Sequence, residues 1–287
     1  VNPAPGSAPA GGAEQAGGIY VGIDGVGVFN QTGGSIKTPW MVLDNRGANA
    51  AIDGVVSKYS LSAGTLEFTA GTGLISNNLL TGTAAWSGGT MRNSAPSSNV
   101  AINTNIVVTG TTATLDTVDA NRGFVFNREV TGGGTVTTTG GGTVFVTTAA
   151  TQTFDLVMAG TSGLTKQGTG TTTLIGNQTY SGPTIVSTGT LSLAGNIPNS
   201  DLTVSAGANL QGLGTAKSIA FGNFTSFSAD PSASSILAAT NAFSVAPGGL
   251  VTVNLLGGPA TSAPFAILNY GSTTATGANF ALAGAGS

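Results

Sequence analysis

The sequence contains no cysteine and no histidine. The first absence excludes a disulfide framework and a thiolate nucleophile. The second excludes a Ser-His-Asp arrangement and every histidine-based metal site. Charge is scarce as well: 8 basic and 11 acidic residues, 7% of the chain, give a net charge of −3. The basic residues (Lys37, Arg46, Lys58, Arg92, Arg122, Arg128, Lys166, Lys217) stand singly along the sequence. No basic stripe forms, which argues against nucleic acid as a partner. No run of about 18 apolar residues is present, so no transmembrane helix is expected. An amphipathic helix is equally hard to find. The nearest candidate, Ala233–Phe243, lacks caps and charges.

What is abundant is glycine, 46 of 287 residues, beside a hydrophobic fraction of 40%. That much apolar material supports a core, so the surface must be covered by Thr, Ser, Asn and Gly. One phrase recurs: small residues, a glycine, a Thr or Ser, then apolar residues in alternation. It reads "SAGTLEF" at Ser62–Phe68, "SGGTMRN" at Ser87–Asn93, "TGGGTVT" at Thr131–Thr137, "GGGTVFV" at Gly140–Val146 and "STGTLSLAG" at Ser187–Gly195. "TGGSI" at Thr32–Ile36 is a looser copy. Period-2 alternation of Thr and Val with apolar partners reads as short half-buried strands.

Gly170, Gly189 and Gly207 open successive phrases at intervals of 19 and 18 residues. A period near 20 is that of a β-solenoid coil, stacked on its neighbours at about 4.8 Å. The fold expected is therefore all-β, a β-helix built of stacked coils. Gly64, Gly89, Gly134, Gly142, Gly170, Gly189 and Gly207 are expected at its corners, where φ is positive or another backbone passes close. The apolar residues that follow, Leu66, Leu174 and Leu191 among them, are expected to point inward. Three regions are expected: a Pro/Ala/Gly tail over residues 1–18, a β-helix over 19–243, and a closing β module over 244–287. The opening "VNPAPGSAPAGG" has the look of a mature N-terminus left after small-residue cleavage of an export signal.

The stretch "SGLTKQGTGTTTLIGNQTYSGPTIVSTGTLSLAG" (Ser162–Gly195) resembles the autotransporter-associated β-strand repeat. That repeat runs from Gly-Leu-Thr-Lys through a Thr-rich strand and an Asn-x-Thr-Tyr-x-Gly turn to a Gly-Thr-Leu strand. "GVFNQTGGSI", "YSLSAGTLEF" and "WSGGTMRN" resemble units of large bacterial surface proteins. The resemblance implies a right-handed parallel β-helix exported to the outer cell surface or beyond. It does not imply one activity. Residues 244–287 show no run of long amphipathic strands with aromatic girdles, so they do not read as a membrane barrel.

Little chemistry is written in the carboxylates. Asp116 and Asp119 lie in "TLDTVDANRG", where Asp bonds nearby backbone N–H groups and makes a turn. Asp44 and Asp53 form a second loose pair. "GLGTAKS" (Gly212–Ser218) is a poor phosphate loop, with Ala216 where glycine precedes the lysine. Trp40, Trp86, Tyr20, Tyr59, Tyr180 and Tyr270 could stack on sugars, but packing inside a solenoid is the favoured reading. No catalytic residue, cofactor or metal is expected.

The function expected is that of a non-catalytic extracellular structural protein. Its partners would be copies of itself, joined head to tail into a fibre or surface layer through open β-helix ends. The tail, starting Val1, Asn2, Pro3, Ala4, Pro5, is expected to dock on a neighbouring molecule. The alternative is an adhesin or passenger stalk that binds a host surface or extracellular polysaccharide.

Overall fold

In Thr190–Leu193, Thr190 and Ser192 are half-buried while Leu191 and Leu193 are fully buried. Side chains of a strand point alternately to its two faces, so this TLSL pattern puts both leucines on one side. The strand one coil on, Asn209–Gly212, pairs with it in parallel, and Leu191 lies over Leu210. The same arrangement recurs throughout. The computed structural model describes residues 17–22, 26–43, 57–76, 83–147, 149–232, 236–257 and 266–283. Every strand pairing given for them is parallel. The fold is an all-β parallel β-helix, as the sequence indicates. Among the described residues the one helical segment is a 3-10 turn at Gly277–Asn279. Most of the helix candidate Ala233–Phe243 lies in the strand Leu237–Val245.

The chain divides into two compact units, residues 1–144 and 145–287. In the first, several strands are long. Val28–Leu43 has 16 residues and Lys58–Ser76 has 19, far beyond the usual 5 or 6. Register partners are widely separated in sequence: Ile36 lies against Leu66, Leu66 against Met91, and Met91 against Leu115. Leu66, Met91 and Leu115 form a buried column. Each contributes roughly 1.5–3 kcal/mol by leaving water. Register shifts interrupt the Val28–Leu43 ladder at Gln31/Thr32, Thr32/Ser35 and Thr38/Trp40.

The second unit begins with short coils. Leu164 pairs with Thr184, Thr171 with Thr190, and Thr190 with Asn209. The strands are three or four residues long at Thr171–Leu174, Thr184–Val186, Thr190–Leu193 and Asn209–Gly212. Coils then lengthen toward the C-terminal side, where Leu237 pairs with Leu268 and Val251 with Phe280. Aromatic rings fill the wider interior. Phe243 lies 5.8 Å from Phe221, 5.8 Å from Tyr270 and 5.9 Å from Phe280.

Several of the polar groups inside the stack are bonded to one another or to backbone carbonyls. The Tyr59 hydroxyl donates to Gln31 Oε1 at 2.6 Å. Buried Gln178 accepts from the Met158 N–H and donates to the carbonyls of Leu156 and Ile175, at 2.7 Å in each case. Tyr180, Thr184 and Ser200 join in a buried hydroxyl chain that ends on the Gly182 carbonyl.

Candidate functional site

The corner residues come first, because they set where the outer faces lie. Gly64, Gly89, Gly189 and Gly207 have positive φ, between 69° and 85°. Gly134, Gly142 and Gly170 do not, but a Cβ on any of them would press into an adjacent backbone. At Gly189 both conditions apply: φ is +69°, and a Cβ would collide with the Gly168 carbonyl. Leu66, Leu174 and Leu191 are fully buried. The tail residues Val1, Asn2, Pro3, Ala4 and Pro5 lie outside the described residues, as do Asp44 and Asp53.

Lys166 stands at one of these corners with 1% of its surface exposed. Its ammonium donates to the carbonyls of Gln167 at 2.7 Å, Gly168 at 2.8 Å and Thr188 at 3.3 Å. The third bond reaches the next turn, so the lysine ties two corners together. Burial holds its pKa below the ordinary lysine value.

In the first unit, residues one step along from the buried column point outward. There Lys37 lies over Glu67, Glu67 over Arg92, and Arg92 over Asp116. The outer face thus carries a column of alternating charge. Lys37 Nζ is 2.8 Å from Glu67, and Arg92 Nε is 3.3 Å from Asp116. The hydrogen bond from Lys37 leads the causes that hold the Glu67 carboxyl below its usual range. Asp116 also accepts from the Thr139 hydroxyl on the following strand and from the Val118 N–H. Asp119 accepts from the Asn121 N–H and pairs with Arg122, so this acid pair serves turns and rungs. Sequence reading treats all these charges as isolated. Only their separations of 30, 25 and 24 residues, read with the stacked phrases, could have joined them.

The second unit has an outer face of different chemistry. One column runs Thr153, Thr173, Ser192, Gln211, Ser228, Asn254. A parallel column runs Thr171, Thr190, Asn209, Ser226, Thr252. All eleven carry hydroxyls or amides and none is charged. Asn209 is occupied within its column: it accepts from Ser226 at 2.9 Å and Ser228 at 3.2 Å, and donates to Thr190 at 3.4 Å. A groove of about 200 Å³ indents this face, lined by Ser192, Gln211, Ser228, Asp230, Leu213 and Leu256. A larger cavity of about 300 Å³ belongs to the wide coils, lined by Phe221, Phe227, Phe243, Tyr270 and Phe280 among others.

Of the aromatic residues, Trp40, Trp86, Tyr59 and Tyr180 are buried, whereas Tyr270 is 45% exposed. Gly212–Ser218 runs from the end of one strand into the strand Thr215–Phe221 rather than into a helix, so it makes no phosphate loop. Among the described residues no three Asp or Glu side chains gather as a metal site.

Residues 164–193 match the passenger-associated-transport-repeat. The matched stretch lies within Ser162–Gly195, on which the resemblance to the autotransporter repeat rests, and it contains Lys166, Gln178, Gly189 and Leu191. The repeat implies a secreted or cell-surface protein of the passenger type. With the all-β solenoid it points to a structural rather than a catalytic role. No curated protein and no solved structure matches the chain.

Proposed function

We propose that the chain is a non-catalytic structural stalk displayed on the cell surface. The observation that carries this reading is the parallel stacking through residues 164–193, where the passenger repeat occupies successive rungs of a bonded, apolar interior. Such a stack holds loops and faces at fixed positions while needing no reactive group. Antibodies raised against the purified chain should label intact producing cells, and protease added outside should remove the signal. Labelling only after lysis would overturn the reading.

A second reading is favoured by the apolar surface near the last described strands. Tyr270 is 45% and Leu282 51% exposed, beside the aromatic-lined cavity of about 300 Å³. In this reading copies of the chain associate through that surface, with the Pro/Ala/Gly tail over residues 1–18 adding to the contact. Sedimentation velocity should show concentration-dependent assembly that the double substitution Tyr270→Ser, Leu282→Ser abolishes and deletion of residues 1–18 weakens. A monomer at every concentration would refute it.

A further inference from the structure

The uncharged outer face of the second unit is a repeating hydrogen-bond surface with an unused centre. Neighbouring groups along each column are about 4.8 Å apart, and the two columns are about 6.6 Å apart along each strand. Among the described residues, no hydrogen bond within the protein uses the side chain of Ser192 or Gln211, although Asn209 beside them is bonded through both its Oδ1 and its Nδ2. Both line the groove. The groove is bordered by Leu213, 44% exposed, and Leu256, 50% exposed. Its single charge is Asp230, whose Oδ1 accepts from the Ser232 hydroxyl at 2.6 Å and N–H at 2.9 Å. On the strand Thr225–Ala229, Ser226 belongs to this face, Ser228 is buried at its floor and donates to Asn209, and Phe224 immediately before that strand is 70% exposed.

The geometry points to a binding site for a neutral polysaccharide chain, lying along the columns and seated in the groove at Ser192 and Gln211. Three properties select this ligand. The face has no charged column, so it offers nothing specific to an anionic polymer or to nucleic acid. Its free groups include both a donor amide and hydroxyls that donate and accept, which match sugar hydroxyls in either role. The exposed Leu213, Leu256 and Phe224 supply apolar surface for the C–H faces of pyranose rings. The rung spacing is also close to the length of one hexose unit, so a chain of sugars meets equivalent groups on successive rungs. A second copy of the same face is a poorer fit, because two concave surfaces leave the groove unfilled.

Affinity electrophoresis and pull-down on cellulose, β-1,3-glucan, xylan, mannan and dextran test the site directly, with alginate as an anionic control. The chain should be retained by at least one neutral polymer, and 1 M NaCl should not release it. The double substitution Ser192→Val, Gln211→Leu should weaken retention at least tenfold while leaving the circular dichroism spectrum and melting temperature of the chain unchanged. Phe224→Ala should weaken it by a smaller factor. Three results would overturn the site: no retention on any neutral polymer, release by salt, or undiminished binding by the double variant. If the double variant instead abolished self-association in sedimentation velocity without affecting retention, the face would be a contact between copies and the site refuted. The inference does not rest on the stalk reading, since cell labelling and polymer binding succeed or fail separately.

Discussion

The two units solve one problem, keeping parallel rungs in register, by different means. In residues 145–287 the rungs around the passenger repeat are short and glycines stand at many of the corners, so little chain is free to slip. Gly189, its Cβ position closed by the Gly168 carbonyl, and Lys166, bonded to Thr188 on the next turn, fix the corner. Across residues 28–116 the rungs are long and interrupted by register shifts, as they are again in the wider coils beyond Ile197. A slip of one residue would turn Leu66 and Met91 outward. There the outer face adds Lys37, Glu67, Arg92 and Asp116 in alternating sign, and any slip breaks the opposite-charge sequence. Regular short coils fix register by backbone geometry, whereas long irregular coils add side-chain markers.

Substitutions can break this contrast. The largest effect should come from the common feature, the buried column: Leu191→Ala and Leu66→Ala should each cost about 2–5 kcal/mol, read from denaturant unfolding. Equal losses confirm that both units rely on the same interior, and a loss under 1 kcal/mol at either site would contradict it. Next, Lys166→Met should cost about 2 kcal/mol, because three carbonyls lose the charged donor that ties the corner together. An unchanged midpoint would show that the corner is set by glycine alone.

Alkaline pH probes one buried phenol in each unit. Burial raises the pKa of both Tyr59 and Tyr180 well above the usual 10.0. The unfolded chain therefore loses these protons above about pH 10 while the folded chain keeps them, and stability falls as pH rises through that point. Tyr59→Phe and Tyr180→Phe should each flatten the fall in a pH series of melting temperatures, and identical slopes would contradict the burial. The smallest effect belongs to the charged column. Arg92→Ala should cost under about 1 kcal/mol and lose its effect in high salt. Because the Glu67 pKa is lowered, its contribution is present at neutral pH and is lost as acid protonates the folded carboxyl. A salt-independent loss would mean that Arg92 acts through packing.

Legibility followed regularity. The interval between Gly170 and Gly189 is the register interval between Thr171 and Thr190, so the tight coils could be read directly. In the first unit the phrases were visible but their stacking was not. "TGGSI", "SAGTLEF" and "SGGTMRN" do lie on one another, with Ile36 over Leu66 over Met91, yet unequal loops separate them. The charged column shares those unequal intervals and was hidden for the same reason. Lys166 was legible only as a letter of the repeat, since a lysine bonded to carbonyls alone has no acidic neighbour to reveal it. The groove at Ser192 and Gln211 depends on which groups are left without partners, which composition cannot report.

The absence of cysteine allows one direct measurement of the stacking. Paired cysteines at Thr173 and Ser192, labelled with pyrene maleimide, sit on adjacent rungs of one outer face and should give strong excimer emission. The pair at Thr173 and Thr203, on different strands that do not pair, should give only monomer emission. Excimer from the second pair, or none from the first, would contradict the parallel in-register β-helix.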